Sequence, residues 1–135
     1  MTQFVYTDAV VTVDGDDLSD WISSATVSVE VDDVENTTFG AGWRSRLGGL
    51  KDWSLQLTFH QDFDASAVDA TLWPLLGTSV AVTVKGASGS TSATNPAFSG
   101  NVLMNEYSPL DGSVGDLSTT SVTWPGNGPL ARGTS

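Results

Sequence analysis

The chain has no cysteine, five basic residues, a single histidine and no apolar run approaching the roughly 20 residues that span a bilayer. The first absence excludes disulfides and thiolate metal sites. The scarcity of bases matters more. Sixteen acids against five bases give a formal net charge of −11. So negative a surface repels phosphate backbones and disfavours tight binding of DNA or RNA. The opening "MTQFVYTDAV" lacks a basic flank and an apolar signal core, an expectation against export by a signal peptide. The lone His60 falls on the polar face of an alternating run, with Asp62 and Asp64 nearby but no serine or cysteine motif around it. That favours a solvated strand residue over a general base.

What is present suits one domain, 1–135. At 135 residues, 39% of them hydrophobic, the chain can bury one core, whereas halves would bury poor ones. Period-2 alternation dominates. In "ATVSVEVD", Val27, Val29 and Val31 share one face, and Ser28, Glu30 and Asp32 the other. In "WSLQLTFH", Trp53, Leu55, Leu57 and Phe59 oppose Ser54, Gln56, Thr58 and His60. Both predict half-buried antiparallel strands. The runs 9–13, 79–85, 98–107 and 117–124 are further β-rich segments. The spacing of Val68, Thr71, Leu72 and Leu75 predicts one helix, about 65–76, capped by Asp64 or Ser66, tightened at Pro74 and closed by Gly77. A short helical turn is predicted within 17–24. Gly, Ser, Asn and Pro mark connectors at 36–50, 86–96 and 108–116, and the tail 125–135 is expected to be mobile in the free monomer. The fold class is mainly β: an antiparallel sandwich or barrel with one flanking helix.

Candidate chemistry is thin. "DGDDLSD" (14–20) lacks the alternating ligands and closing Glu of a calcium loop, and an Asp-Gly turn followed by an Asp cap explains it. The stretch "TTFGAGWRSRLGGLKDW" (37–53) holds three of the five bases, Arg44, Arg46 and Lys51. As a Walker loop it is one residue too long between Gly42 and Gly48, with no Lys-Ser/Thr following. As a dinucleotide loop it has Ser45 where the third glycine belongs. Trp and Arg are favoured at interface centres, and Trp43 has no evident home in its own core. The reading is a protein-contact loop.

These segments together resemble the major tail (tail tube) proteins of long, non-contractile-tailed phages, particularly those of actinobacteria. The resemblance is carried by "DGDDLSD", "TTFGAGWRSRLGGLKDW", "DATLWPLLG" and "SPLDGSVGDLSTTSVTWP", and runs from about Val11 to Pro125. It implies a non-enzymatic virion protein, made in the host cytoplasm, without cofactor or metal. Its copies would join sheets edge to edge into hexameric rings that stack into a tube through which genome DNA leaves. Other implied partners are the tape measure, tail terminator and distal tail proteins; no membrane is implied. A long loop between early strands, 34–52 here, would reach the next ring through Phe39, Trp43, Arg44, Arg46 and Lys51, and terminal arms would bridge subunits. Cations on an acidic subunit would steer that docking. Candidate lumen-facing acids are Glu30 and Asp32. The alternatives are a capsid decoration or head–tail joining protein, and a carbohydrate-binding β-sandwich with Trp21, Trp43 or Trp53 along a sugar groove.

Overall fold

The computed structural model describes residues 3, 5 and 7–134, so part of the opening "MTQFVYTDAV" and the terminal Ser135 lie outside it. Among the described residues eight strands form two antiparallel sheets. One has the order β2 (Asp16–Asp17), β1 (Val10–Val13), β5 (Ser79–Lys85), β6 (Ala97–Leu103), β8 (Ala131–Gly133). The other has the order β3 (Ile22–Glu35), β4 (Arg46–His60), β7 (Thr119–Pro125). The alternation does what period 2 requires. Val11, Val13, Val80, Val82, Val84 and Val102 of the first sheet meet Leu55, Leu57, Phe59, Val122 and Trp124 of the second. The rings of Phe59 and Trp124 lie 6.4 Å apart and tilted, and Trp124 Nε1 donates to the Glu106 carbonyl at 3.0 Å. Here the indole finds the polar partner that burial demands. A bridge between Val102 and Gly126 joins the two sheets along one side.

The β1–β2 hairpin turns on Asp14 and Gly15, both at positive φ, with Val13 opposite Asp16. That is the Asp-Gly two-residue turn whose twist matches paired strands. Asp17 accepts the Ser19 amide at 2.9 Å, starting a 3-10 turn over Ser19–Trp21. The Ser19 contacts hold the Asp17 carboxyl below its ordinary pKa.

The helix is shorter than the spacing predicts. α1 covers Val68–Leu72 and passes into a 3-10 turn at Trp73–Leu75. The predicted Asp64 or Ser66 cap is corrected to Ala67, without a side-chain cap bond. Pro74 suits the tighter turn because it has no amide to give, and Gly77 closes the segment at positive φ. Val68 and Leu72 lid one end of the core.

A hydrogen-bonded chain fixes α1 to the sheet. Tyr107 Oη donates to Asp69 Oδ1 at 2.8 Å and accepts from Gln61 Nε2 at 2.9 Å. Burial foremost, then the Asp69 carboxylate, raises the Tyr107 hydroxyl to a pKa of about 12, against the mitigating Gln61 bond. A raised folded-state pKa contributes stability that is complete below the ordinary value of 10.0 and is lost as pH climbs toward 12. Urea midpoints measured from pH 9 to 12 are therefore expected to fall. Tyr107→Phe should flatten that fall while costing about 1 kcal/mol at neutral pH for the lost hydrogen bonds. An unchanged slope in the variant would assign the fall to other groups.

The tail departs from expectation. Instead of a mobile arm 125–135, residues Ala131–Gly133 add β8 to β6, and Asn127 N donates to the Asn101 carbonyl at 2.8 Å. Its anchor is Trp53. This indole is 5% exposed, and its Nε1 donates to the Gly128 carbonyl at 2.9 Å. A Cβ added at Gly126 would strike the ring, and one at Gly100 would come within 2.8 Å of it. Glycine at both positions lets tail and β6 close over the indole.

Candidate interaction surface

β3 and β4 have 14 and 15 residues, whereas β5, β6 and β7 have seven each. β7 pairs only with Ser54–His60 of β4. Beyond Ser54, β3 and β4 continue as a two-stranded ribbon that no third strand joins among the described residues, some eight residues or about 25 Å long. The expected loop 34–52 is thus corrected: most of it is ladder, and only 36–45 connects the strands. The glycines that look like loop chemistry serve the ladder instead. Val31 pairs with Lys51 and Asp33 with Gly48, so Gly49 and Leu50 together oppose Asp32 in a bulge. A Cβ on Gly49 would lie only 3.3 Å from Asp32 and Val34 atoms, so this crowded position favours glycine.

The tip is also bonded. Asn36 N donates to the Ser45 carbonyl at 3.0 Å, Ser45 N to Thr37 Oγ1 at 2.9 Å, and Ser45 Oγ to Asn36 Oδ1 at 2.7 Å. This frame presents two aromatics to solvent: Phe39, fully exposed, and Trp43, 89% exposed. Along the ribbon Val29, Val31, Val34, Leu47 and Leu50 are exposed too. Val29 and Val31 continue the stripe that alternation assigned to the core, but the ribbon has outrun the opposing sheet. Val29 and Val31 stand on one face of the ribbon and Val34 with its partner Leu47 on the other, so both faces expose apolar side chains, the mark of an interaction site.

The cations are not free charges. Arg44 Nε lies 3.7 Å from Glu35 and Arg46 Nε 3.6 Å from Asp33, both pairs exposed. Lys51 faces Val31 across the ladder. Five acids (Glu30, Asp32, Asp33, Glu35, Asp52) outnumber these three bases, so the ribbon is itself net negative. The ribbon's distinguishing character is apolar and aromatic. Glu30 pairs directly across from Asp52, and Glu30 and Asp32 are both exposed.

The tryptophans do not form one groove. Trp53 is buried, Trp43 stands at the tip, and Trp21 Nε1 donates to Asp62 Oδ2 at 2.9 Å beside the core. His60 is exposed at the end of β4, opposite Thr119. Among the described residues no three His, Asp or Glu side chains gather as metal ligands, and no helix is long and apolar enough to cross a membrane.

The outer edges of the three-stranded sheet differ. Gly126 N donates to the Trp53 carbonyl and Gln61 N to that of Ser118, so even-numbered β7 residues face β4. Thr119, Ser121 and Thr123 therefore turn their amides outward, and Pro125 has none. The Thr123 amide is already taken: it donates to Glu106 Oε1 at 2.6 Å. By the same alternation the backbone of Ala25, Val27, Val29 and Val31 faces outward from β3. Sequence reasoning missed Glu106, Trp53's glycine seat and the exposed ribbon aliphatics. Of these, only Val29 and Val31 left a signal, in the alternation of 25–32.

No family model matches the chain, and no curated protein matches it either. Solved structures do. The fold is similar to that of a chain in the virion of a native gene transfer agent particle, with a TM-score of 0.74 at 14% identity, covering 93% of this chain and 95% of the other. It is also similar to a chain in the tail of an empty gene transfer agent particle, determined with C6 symmetry, with a TM-score of 0.67 at 16% identity over 85% and 83% of the chains. At such identities the likeness is one of fold alone: a mainly-β, antiparallel domain.

Proposed function

We propose that this protein is a non-enzymatic structural subunit of a phage-type tail, a tail tube protein whose copies form hexameric rings that stack into a tube. The observation that carries the reading is the ribbon beyond Ser54: a two-stranded extension is marginal alone in water, and this one carries exposed aliphatics and two solvent-facing aromatics. Another copy covering it would supply the missing burial. The fold's likeness to a chain in a C6-symmetric tail supports the sixfold arrangement. Among the described residues no strand pairs with the outer edge of β3, which supports lateral joining.

The location that follows is the virion, after synthesis in the host bacterium. The long non-contractile phage tail, with its tape measure, terminator and distal tail proteins as neighbours, is the setting the sequence resemblance implies. The bore would pass DNA without holding it, since −11 of net charge leaves few cations to release counterions. Glu30 and Asp32 are its proposed lining. Salt-sensitive micromolar affinity for duplex DNA in an anisotropy titration would contradict a passive bore; no affinity at physiological salt is the expected result.

Negative-stain microscopy of the purified protein at rising concentration tests the whole. Rings or tubes about one subunit thick in the wall are expected. Isolated monomers at every concentration, including with tail-assembly partners present, would defeat the reading. Single rings that never stack would favour a head–tail joining role.

A further inference from the structure

The two edges of the β3–β4–β7 sheet are unequal, and the difference is one carboxylate. We propose that Glu106 guards the β7 edge, occupying the acceptor position that a second copy's β3 backbone must take before the copies can join. This rests on the self-assembly reading above and specifies how it is gated.

The Glu106 carboxylate receives the outward Thr123 amide at 2.6 Å, in the short range of a charge-assisted bond. An added strand would place a main-chain carbonyl there. With Pro125 lacking a donor, the guarded edge leaves only the amides of Thr119 and Ser121 as donors to a partner strand. The guard is removable without disturbing the core. Its main chain is fixed separately, because the Glu106 carbonyl accepts Trp124 Nε1 at 3.0 Å and Met104 N donates to the Thr78 carbonyl at 3.0 Å. Only an exposed side chain has to swing.

The occupant is argued from the opposite edge. From Ile22 to Val29 β3 is uncharged, and Ser24, Thr26 and Ser28 stand on its outer face. They match Thr119, Ser121 and Thr123 on β7, as Thr58 already does through Oγ1 and Ser121 Oγ at 3.3 Å. Cross-strand hydroxyl pairs of this kind are favourable. From Glu30 onward β3 is acidic and would meet Glu106 with like charge, so the neutral half is the half that fits. Edge charges are a common device against indiscriminate strand pairing. This one lies across the position that pairing would use.

The experiment compares wild type, Glu106→Ala and Glu106→Gln. Amide exchange at Thr123 in dilute monomer reads the contact, and sedimentation across concentration reads assembly. Glu106→Ala is expected to expose the Thr123 amide and to lower the assembly threshold about tenfold, the equivalent of one charge-assisted bond that no longer has to break. Glu106→Gln keeps the shape and an acceptor oxygen but not the charge, and should fall between. Should Glu106→Ala fail to fold, the Gln variant carries the test. Assembly by a variant at concentrations where wild type is still monomeric supports the guard. A folded variant with a fast Thr123 amide and an unchanged or higher threshold overturns the guard alone. Monomers in all three proteins overturn the guard together with the assembly reading.

Discussion

Trp124→Ala is expected to leave little or no folded protein. The side chain is fully buried, packs against Phe59, and is the largest of the completely buried residues. Truncating a core tryptophan typically costs about 3–5 kcal/mol, because the lost burial is joined by a cavity the neighbours cannot close. A second loss follows: the Glu106 carbonyl forfeits the indole N–H, a hydrogen bond of a kind that contributes about 0.5–1.5 kcal/mol. Against a total of about 5–15 kcal/mol for a domain, the variant sits at or beyond the unfolding threshold. Urea melts followed by circular dichroism are the measurement. Trp124→Phe separates the two losses, since it retains most of the volume and removes only the donor. A Trp124→Ala protein melting within about 1 kcal/mol of wild type would mean that the site collapses around the truncation far better than cores usually do.

The two kinds of tryptophan show what the sequence can disclose. Alternation places Trp53 and Trp124 on the inward faces of β4 and β7, because period 2 fixes which side a residue takes once its neighbours are apolar. It does not say where the opposing sheet ends. Val27, Val29 and Val31 therefore read alike, yet Val27 packs on the core while Val29 and Val31 stand exposed on the ribbon. Length is the missing variable, set by how far β7 follows β4. Glycine misled in the other direction. Gly48 and Gly49 have loop composition but belong to the ladder, Gly48 paired with Asp33 and Gly49 in the bulge, and Gly126 in an apparently loose tail makes room for Trp53. Both roles are contacts with residues distant in sequence, which composition cannot register. The same limit applies to the cations. Arg44 and Arg46 read as free charges until the register brings Glu35 and Asp33 beside them.

Replacing both tip aromatics, Phe39→Ala with Trp43→Ala, is expected to abolish tube growth while the melt stays where it was. The fold has no stake in these rings: both are exposed, and the tip is closed by Asn36, Thr37 and Ser45 rather than by their packing. Substitutions at such positions usually change stability by about 0.5 kcal/mol or less. Assembly has a large stake. An aromatic at the centre of an interface is typically worth about 2 kcal/mol or more, so losing two weakens each contact by a factor on the order of a thousand. In the proposed ring every subunit would carry the same defect, which would leave no intact path for growth. The charges provide the contrast. Arg44→Ala with Arg46→Ala removes two exposed ion pairs of the kind worth about 0–1 kcal/mol, and should thin the tubes' yield without eliminating them. Electron micrographs beside a circular dichroism melt distinguish the outcomes. Normal tubes from the double aromatic variant would mean the tip is mere surface. Tubes lost from the arginine variant alone would restore charge, rather than apolar burial, as what docks the ribbon.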